Sequence, residues 1–170
     1  MMRAVIFGLA VTTLSACGPA APPRADAPKP QPPVPLLAGP LPAPPAWALP
    51  YMGKIITQAL PQKETCLGNA DQRIDRYAGP PAGSAVGGWG WDEQTKQPVA
   101  RILLTDETLR VWGAGEAAGE ARPDVPKYAP QVQSPATGWR GVAAGTSGLV
   151  VAWGLVDGGK AICPMGEMEL

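Results

Sequence analysis

Proline is spread so unevenly along this chain of 170 residues that it decides where a compact fold can form. Thirteen of the 22 Pro lie between Cys17 and Pro50. Each fixes φ and removes a backbone donor, so neither helix nor sheet propagates through such a stretch. Residues 18–50, with only Arg24, Asp26 and Lys29 charged, are expected to form a disordered stalk populating polyproline II. Its reach is at most roughly 3.1 Å per residue, or about 100 Å in all. A spacer is the simpler reading. The alternative is a ligand for an aromatic groove of an envelope partner. The compact domain is thereby confined to residues 51–170, with Trp47 and Tyr51 marking where the chain meets it.

Residue types narrow the chemistry. The chain has no His, which removes Ser-His-Asp and Cys-His nucleophile systems, His-liganded metals and an imidazole pH switch. Lys and Arg together number 14, as do Asp and Glu, and this balance gives no footprint for nucleic acid. No Gly-rich phosphate loop opens a helix, so no nucleotide is expected. Asp71, Asp75 and Asp92 are too scattered for calcium. No metal and no cofactor are expected.

The N-terminus reads as an address. Met1-Met2-Arg3 is a short basic segment, and Ala4 to Leu14 is an apolar run of 11 residues. A permanent membrane helix needs about 20, so the run suits a secretory signal over residues 1–16. It ends in Leu14-Ser15-Ala16-Cys17, which resembles the lipobox of bacterial lipoproteins. The resemblance implies lipidation of Cys17, with residues 17–50 serving as lipid anchor and stalk. Several acyl chains hold a protein stably where one holds it reversibly. Gly18 stands where Asp would imply inner-membrane retention, so the resemblance implies the outer membrane, the domain facing periplasm or cell surface.

From Tyr51 onward Gly and Pro punctuate the chain every eight to twelve residues, the rhythm of an all-β sandwich or barrel. A short helix is expected over Lys54–Leu60 and a helical turn over Pro123–Tyr128, where Pro suits the first helical position. Strands are expected over 72–77, 85–91, 98–105, 109–115, 138–144, 149–156 and 160–163. Period two puts Trp89 and Trp91 on one face. The fold class is therefore all-β: an immunoglobulin-like or jelly-roll-like β-sandwich of about seven short strands with one helical turn. A small barrel is the alternative. With Cys17 assigned to lipidation, Cys66 and Cys163 form an even pair in an exported domain. A structural disulfide is expected, since a redox or metal role lacks both a C-x-x-C motif and a nearby His.

Three stretches stand out: Gly88-Trp89-Gly90-Trp91-Asp92, Arg122-Pro123-Asp124-Val125 and Gly138-Trp139. In order and spacing they resemble a small β-sandwich module of bacterial envelope proteins. That module opens on Cys-x-Gly with a later Asp (here Cys66-Leu67-Gly68 and Asp75), and carries Ala where this chain has Gly90. The resemblance implies a fold, and no activity.

Asp75 and Asp92 are a candidate carboxylate pair for glycoside hydrolysis. The blander assignment is structural: Arg122 bridges Asp92, with Asp124 beside it, and pins the helical turn to the hairpin. Trp89 or Trp91, Trp112 and Trp153 are expected inside, because the domain has no Phe to fill its core. Trp139, between Gly138 and Arg140, is the candidate for an exposed ring that could stack on a sugar. The expectation is a non-enzymatic interaction module, anchored to the membrane through Cys17 and facing an envelope protein. A glycan-binding module for cell-wall or surface polysaccharide is the alternative, and a carboxylate-dependent hydrolase stands behind both.

Overall fold

The computed structural model describes residues 33–170. The expected signal peptide, the expected lipidation site Cys17 and the first half of the proline-rich stretch lie outside the described residues. The strands are β1 (Leu36–Leu37), β2 (Gln62–Lys63), β3 (Cys66–Tyr77), β4 (Gly83–Asp92) and β5 (Gln97–Pro98). They continue with β6 (Arg101–Thr105), β7 (Val111–Glu120), β8 (Gly138–Ala143), β9 (Leu149–Val156) and β10 (Ala161–Glu169). Two short helices, α1 (Ile56–Ala59) and α2 (Val125–Tyr128), fall within the expected spans.

The fold is all-β, as the turn rhythm implies, with seven strands of five residues or more. All belong to one sheet in the order β1-β3-β4-β8-β7-β6-β9-β10-β2, with β5 on β4. The long strands pair antiparallel throughout. The sheet bends so that β3, β4 and β8 face β6, β9 and β10 across one apolar interior. Val86, Ile102, Leu104, Trp139, Val150, Ala152 and Met165 pack there together.

The two ends of the long-strand path meet. Cys66 on β3 is bonded to Cys163 on β10, with Cα atoms 5.5 Å apart. Further along, Gly68 lies against Met165, Gly166 lies against Asn69, and Arg73 Nη2 donates to the Glu169 carbonyl at 2.8 Å. These pairs advance in the same direction, so β3 and β10 run side by side and parallel. No backbone ladder joins them among the described residues. Side chains and one covalent bond close the seam where hydrogen bonds do not.

Two covers complete the domain. The layer of β6, β9 and β10 is apolar on both faces, which is why Ile102-Leu103-Leu104 runs without a polar break. Leu103, Trp153, Leu155 and Ile162 point away from the interior and pack beneath Ala48, Ile56 and Leu60. On the other side Trp91 packs under Val125 and Val132, with Leu67, Trp89 and Ala129 around them.

The compact unit begins at Pro33, not at Tyr51. Residues 33–50, expected as stalk, run along the domain as a strap. β1 pairs parallel with Arg76 and Tyr77 of β3, Leu41 N–H donates to the Pro81 carbonyl at 2.9 Å, and Ala48 is fully buried. The physical reason is that Pro forbids only the donors it lacks. Carbonyls of Pro35, Leu37 and Gly39 still accept from Arg76, Ala78 and Gly79 at 2.9–3.0 Å, and an edge position tolerates the missing N–H groups.

Candidate functional site

The Arg122-Pro123-Asp124-Val125 stretch is a clamp. Arg122 donates from Nη1 and Nη2 to the two carboxylate oxygens of Asp71 at 3.1 and 2.8 Å. Its Nε and Nη2 also donate to the two oxygens of Asp124 at 3.1 and 2.9 Å. Paired forks of this kind are the strong, directional form of the Arg–carboxylate bond. They hold the Asp124 carboxyl below its ordinary 3.8, chiefly through the hydrogen bonds from Arg122. The same bonds, to Asp124 first and then to Asp71, hold the guanidinium charged well above its own ordinary value.

The expected Arg122–Asp92 bridge does not form. Asp71 takes that place because a register shift between Ala70 and Gln72 lets Asp71 leave the β3–β4 ladder. Asp92 instead organises the hairpin after β4. It accepts from the N–H groups of Gln94 and Thr95 at 2.8 and 3.3 Å, and from the Thr95 hydroxyl at 2.8 Å. This is the Asx-turn arrangement, in which a carboxylate satisfies backbone donors that a tight turn leaves free.

The tryptophans divide differently from expectation. Trp139, the candidate sugar platform, is fully buried in the central core. Its neighbours Gly138 and Arg140 belong to the opposite face of β8, so their character says nothing about the ring between them. Trp89 and Trp91 do share a face, and that face is covered by the clamp segment. Trp153 is buried and donates its indole N–H to the Thr105 hydroxyl at 3.1 Å. Trp47, Trp89 and Trp112 keep part of their surface in solvent.

The proposed carboxylate pair is not a pair. Asp92 stands opposite Cys66 at one end of β3, and Asp75 lies nine residues further along the same strand. At roughly 3.3 Å per residue this separates them by about 30 Å along the strand, too far to flank one scissile bond. Asp92 borders a separate groove of about 520 Å³ beside the turn between β9 and β10, where both its oxygens are already engaged in the turn.

Asp75 opens onto a groove of about 390 Å³ with Tyr77, Glu116 and Arg140. Glu116, Arg140 and Tyr77 were not singled out from the sequence. The signal was present in β7 and β8: Arg101, Glu116 and Arg140 are successive cross-strand partners on β6, β7 and β8. Alternating charge across neighbouring strands is favourable. Arg140 Nε also pairs with Glu120 at 2.5 Å. Trp47 seals this row, its N–H donating to Glu116 at 2.6 Å and its ring lying 5.4 Å from the Arg101 guanidinium.

Beside the Asp75 groove lies a further one of about 360 Å³ that is apolar, bordered by Leu41, Pro42, Pro44, Met52, Trp112 and Val142. Ala43 and Val142 border both grooves, so the strap crosses one longer trough and leaves space on each flank. The trough exists because Ala85, Ala114, Gly115 and Gly141 present little or no side chain along its floor. Chemically the arrangement can grip a narrow extended chain: an apolar half beside Trp112, and a polar half where Asp75, Tyr77 and Arg140 offer hydrogen bonds.

No family model matches the chain, and no curated protein and no solved structure matches it. Two of the stretches singled out from the sequence do meet in space: Val125 of the clamp covers Trp91 of the strand.

Proposed function

We propose that this chain is an outer-membrane lipoprotein, anchored through Cys17, whose β domain is a non-enzymatic interaction module for another envelope component. The observation that carries the reading is the Cys66–Cys163 bond across the β3–β10 seam. A domain that relies on a disulfide for the closure of its sheet suits an oxidising compartment, which is where the Leu14-Ser15-Ala16-Cys17 sequence would send it. The polar residues of the clamp and the hairpin support the non-enzymatic half of the proposal, while Asp75 lines the trough. Arg122, Asp71, Asp92 and Asp124 are occupied in holding loops, which leaves the trough as the surface for a partner.

The glycan-binding alternative is not favoured, since Trp139 is core. The test is metabolic labelling with a radiolabelled fatty acid, followed by membrane fractionation of the wild type and Cys17→Ser. Label on the wild type and release of the variant from the membrane fraction are expected. Wild-type protein that carries no label and fractionates as soluble overturns the anchor. A photo-cross-linking residue at Ala43, exposed at the junction of the grooves, tests the module. A discrete adduct to a protein other than a second copy of this chain is expected, and an adduct to polysaccharide or to a second copy alone overturns the protein-partner reading.

A further inference from the structure

We propose that the trough is an exchange site: it receives residues 33–45 from a second copy of this chain in place of its own, giving a strap-swapped dimer. The occupant is defined by what already lies there. An extended segment with Pro at positions 40, 42, 44 and 45 crosses the floor of small residues, and Leu36 and Leu37 add a short parallel strand to the edge of β3. The unfilled grooves on each flank are continuous with this interface through Ala43 and Val142.

Exchange is cheap at this place for three reasons. The strap is lightly held: Leu36 is 69% exposed and Leu37 38%, and beyond the two-residue pairing of β1 with β3 only four backbone hydrogen bonds join residues 35–41 to the loop and edge around β3. Segments with little buried area and few hydrogen bonds open at low free energy. Firm attachment resumes at a defined point, Trp47 on Glu116 and Ala48 in the outer core, so Pro45 and Ala46 mark where the two chains would part. Every contact that the strap makes in its own domain is also available on an identical one, which is why swapping costs little beyond association. The proposal does not require the lipid anchor, so its failure and the failure of the anchor reading are separate results.

The experiment uses the chain from residue 17 carrying Cys17→Ser, purified as two single variants, Ala43→Cys and Val142→Cys. They are mixed at high concentration, incubated, and joined with a short bis-maleimide. A cross-linked heterodimer is expected at about tenfold the yield from mixing Ala43→Cys with Lys160→Cys, whose exposed site lies away from the trough, since only exchange gives the first pair a high effective concentration. A chain carrying both Ala43→Cys and Val142→Cys should cross-link within itself when dilute.

Equal yields from the two mixtures overturn the proposal, and so does internal cross-linking of the double variant without any heterodimer on mixing. If neither experiment cross-links, the strap does not lie in the trough and the proposal also fails. Leu41→Cys with Ala144→Cys repeats the test at the apolar end should either first variant fold poorly.

Discussion

At the scale of single residues, the molecule spends its charged side chains on joining segments distant in sequence. Arg122 connects a bulge on β3 to the loop that covers Trp91, and its side chain is only 15% exposed. Removing it strands Asp71 and Asp124 without their donors, so Arg122→Ala should cost about 1–3 kcal/mol in urea denaturation. The partner can be assigned by coupling. A double-mutant cycle should give about 1–2 kcal/mol between Arg122 and Asp71, and a value near zero between Arg122 and Asp92. Coupling to Asp92 instead would contradict the clamp. Acid should loosen the same loop. The Asp124 carboxyl is held below 3.8 in the folded chain, so the contact stabilises the fold above that pH and is lost as pH falls through the lowered value. Asp124 is 47% exposed, which keeps the contribution small. Fluorescence of Trp89 and Trp91 should show an acid transition that Asp124→Asn lacks; identical titrations of the two proteins would count against it.

At the scale of elements, the Gly-Trp-Gly-Trp strand shows how two similar glycines differ. A Cβ on Gly88 would sit 1.9 Å from the Asn69 carbonyl oxygen and 2.8 Å from the Trp139 ring. The backbone of β3 cannot yield that distance, so Gly88→Ala should strongly destabilise the fold. A Cβ on Gly90 would meet Met165 Sδ at 2.6 Å, near the end of an adaptable side chain. Gly90→Ala should therefore cost about 1–2 kcal/mol, the lower range for overpacking, and clearly less than Gly88→Ala. Equal melting temperatures for the two variants would refute this account of the strand. The contrast also bears on what can be read from sequence. The existence of the long strands was legible because alternation and Gly/Pro punctuation are local, although β3 (Cys66–Tyr77) and β10 (Ala161–Glu169) run well beyond the expected 72–77 and 160–163, and α2 was legible from its Pro. Period two held the information that Trp139 points inward, since Gly138 and Arg140 share the other face of β8, but the character of those neighbours suggested exposure. Choosing Asp71 as the Arg122 partner required knowing of a bulge between Ala70 and Gln72, which no local pattern announces. The strap was hidden for a related reason: proline content says which hydrogen bonds a segment cannot donate, and nothing about those it can accept.

At the scale of the whole molecule, the weak line is the seam between β3 and β10. Elsewhere around the sheet each long strand is tied to its neighbours by a backbone ladder, so opening any such pair breaks several hydrogen bonds together. Between β3 and β10 the attachments include the Cys66–Cys163 bond, the packing of Met165 on Gly68 and of Gly166 on Asn69, and a hydrogen bond from Arg73. The disulfide spans 97 residues, more than two thirds of the compact unit that begins at Pro33, so it also restricts the unfolded chain strongly. In the chain-entropy account a loop of that size is worth about 4–5 kcal/mol. Replacing both cysteines by Ala should lower stability by that order, and the loss should not be spread evenly. If the bond acted only on the unfolded chain, native-state hydrogen exchange would rise uniformly with the fall in global stability. Because it is also the main tie across an unladdered edge, exchange should rise further in β3 and β10 than in β6 and β7, which keep ladders on both sides. A uniform rise would mean that the side-chain contacts close the seam unaided, and that the disulfide acts on the unfolded chain alone.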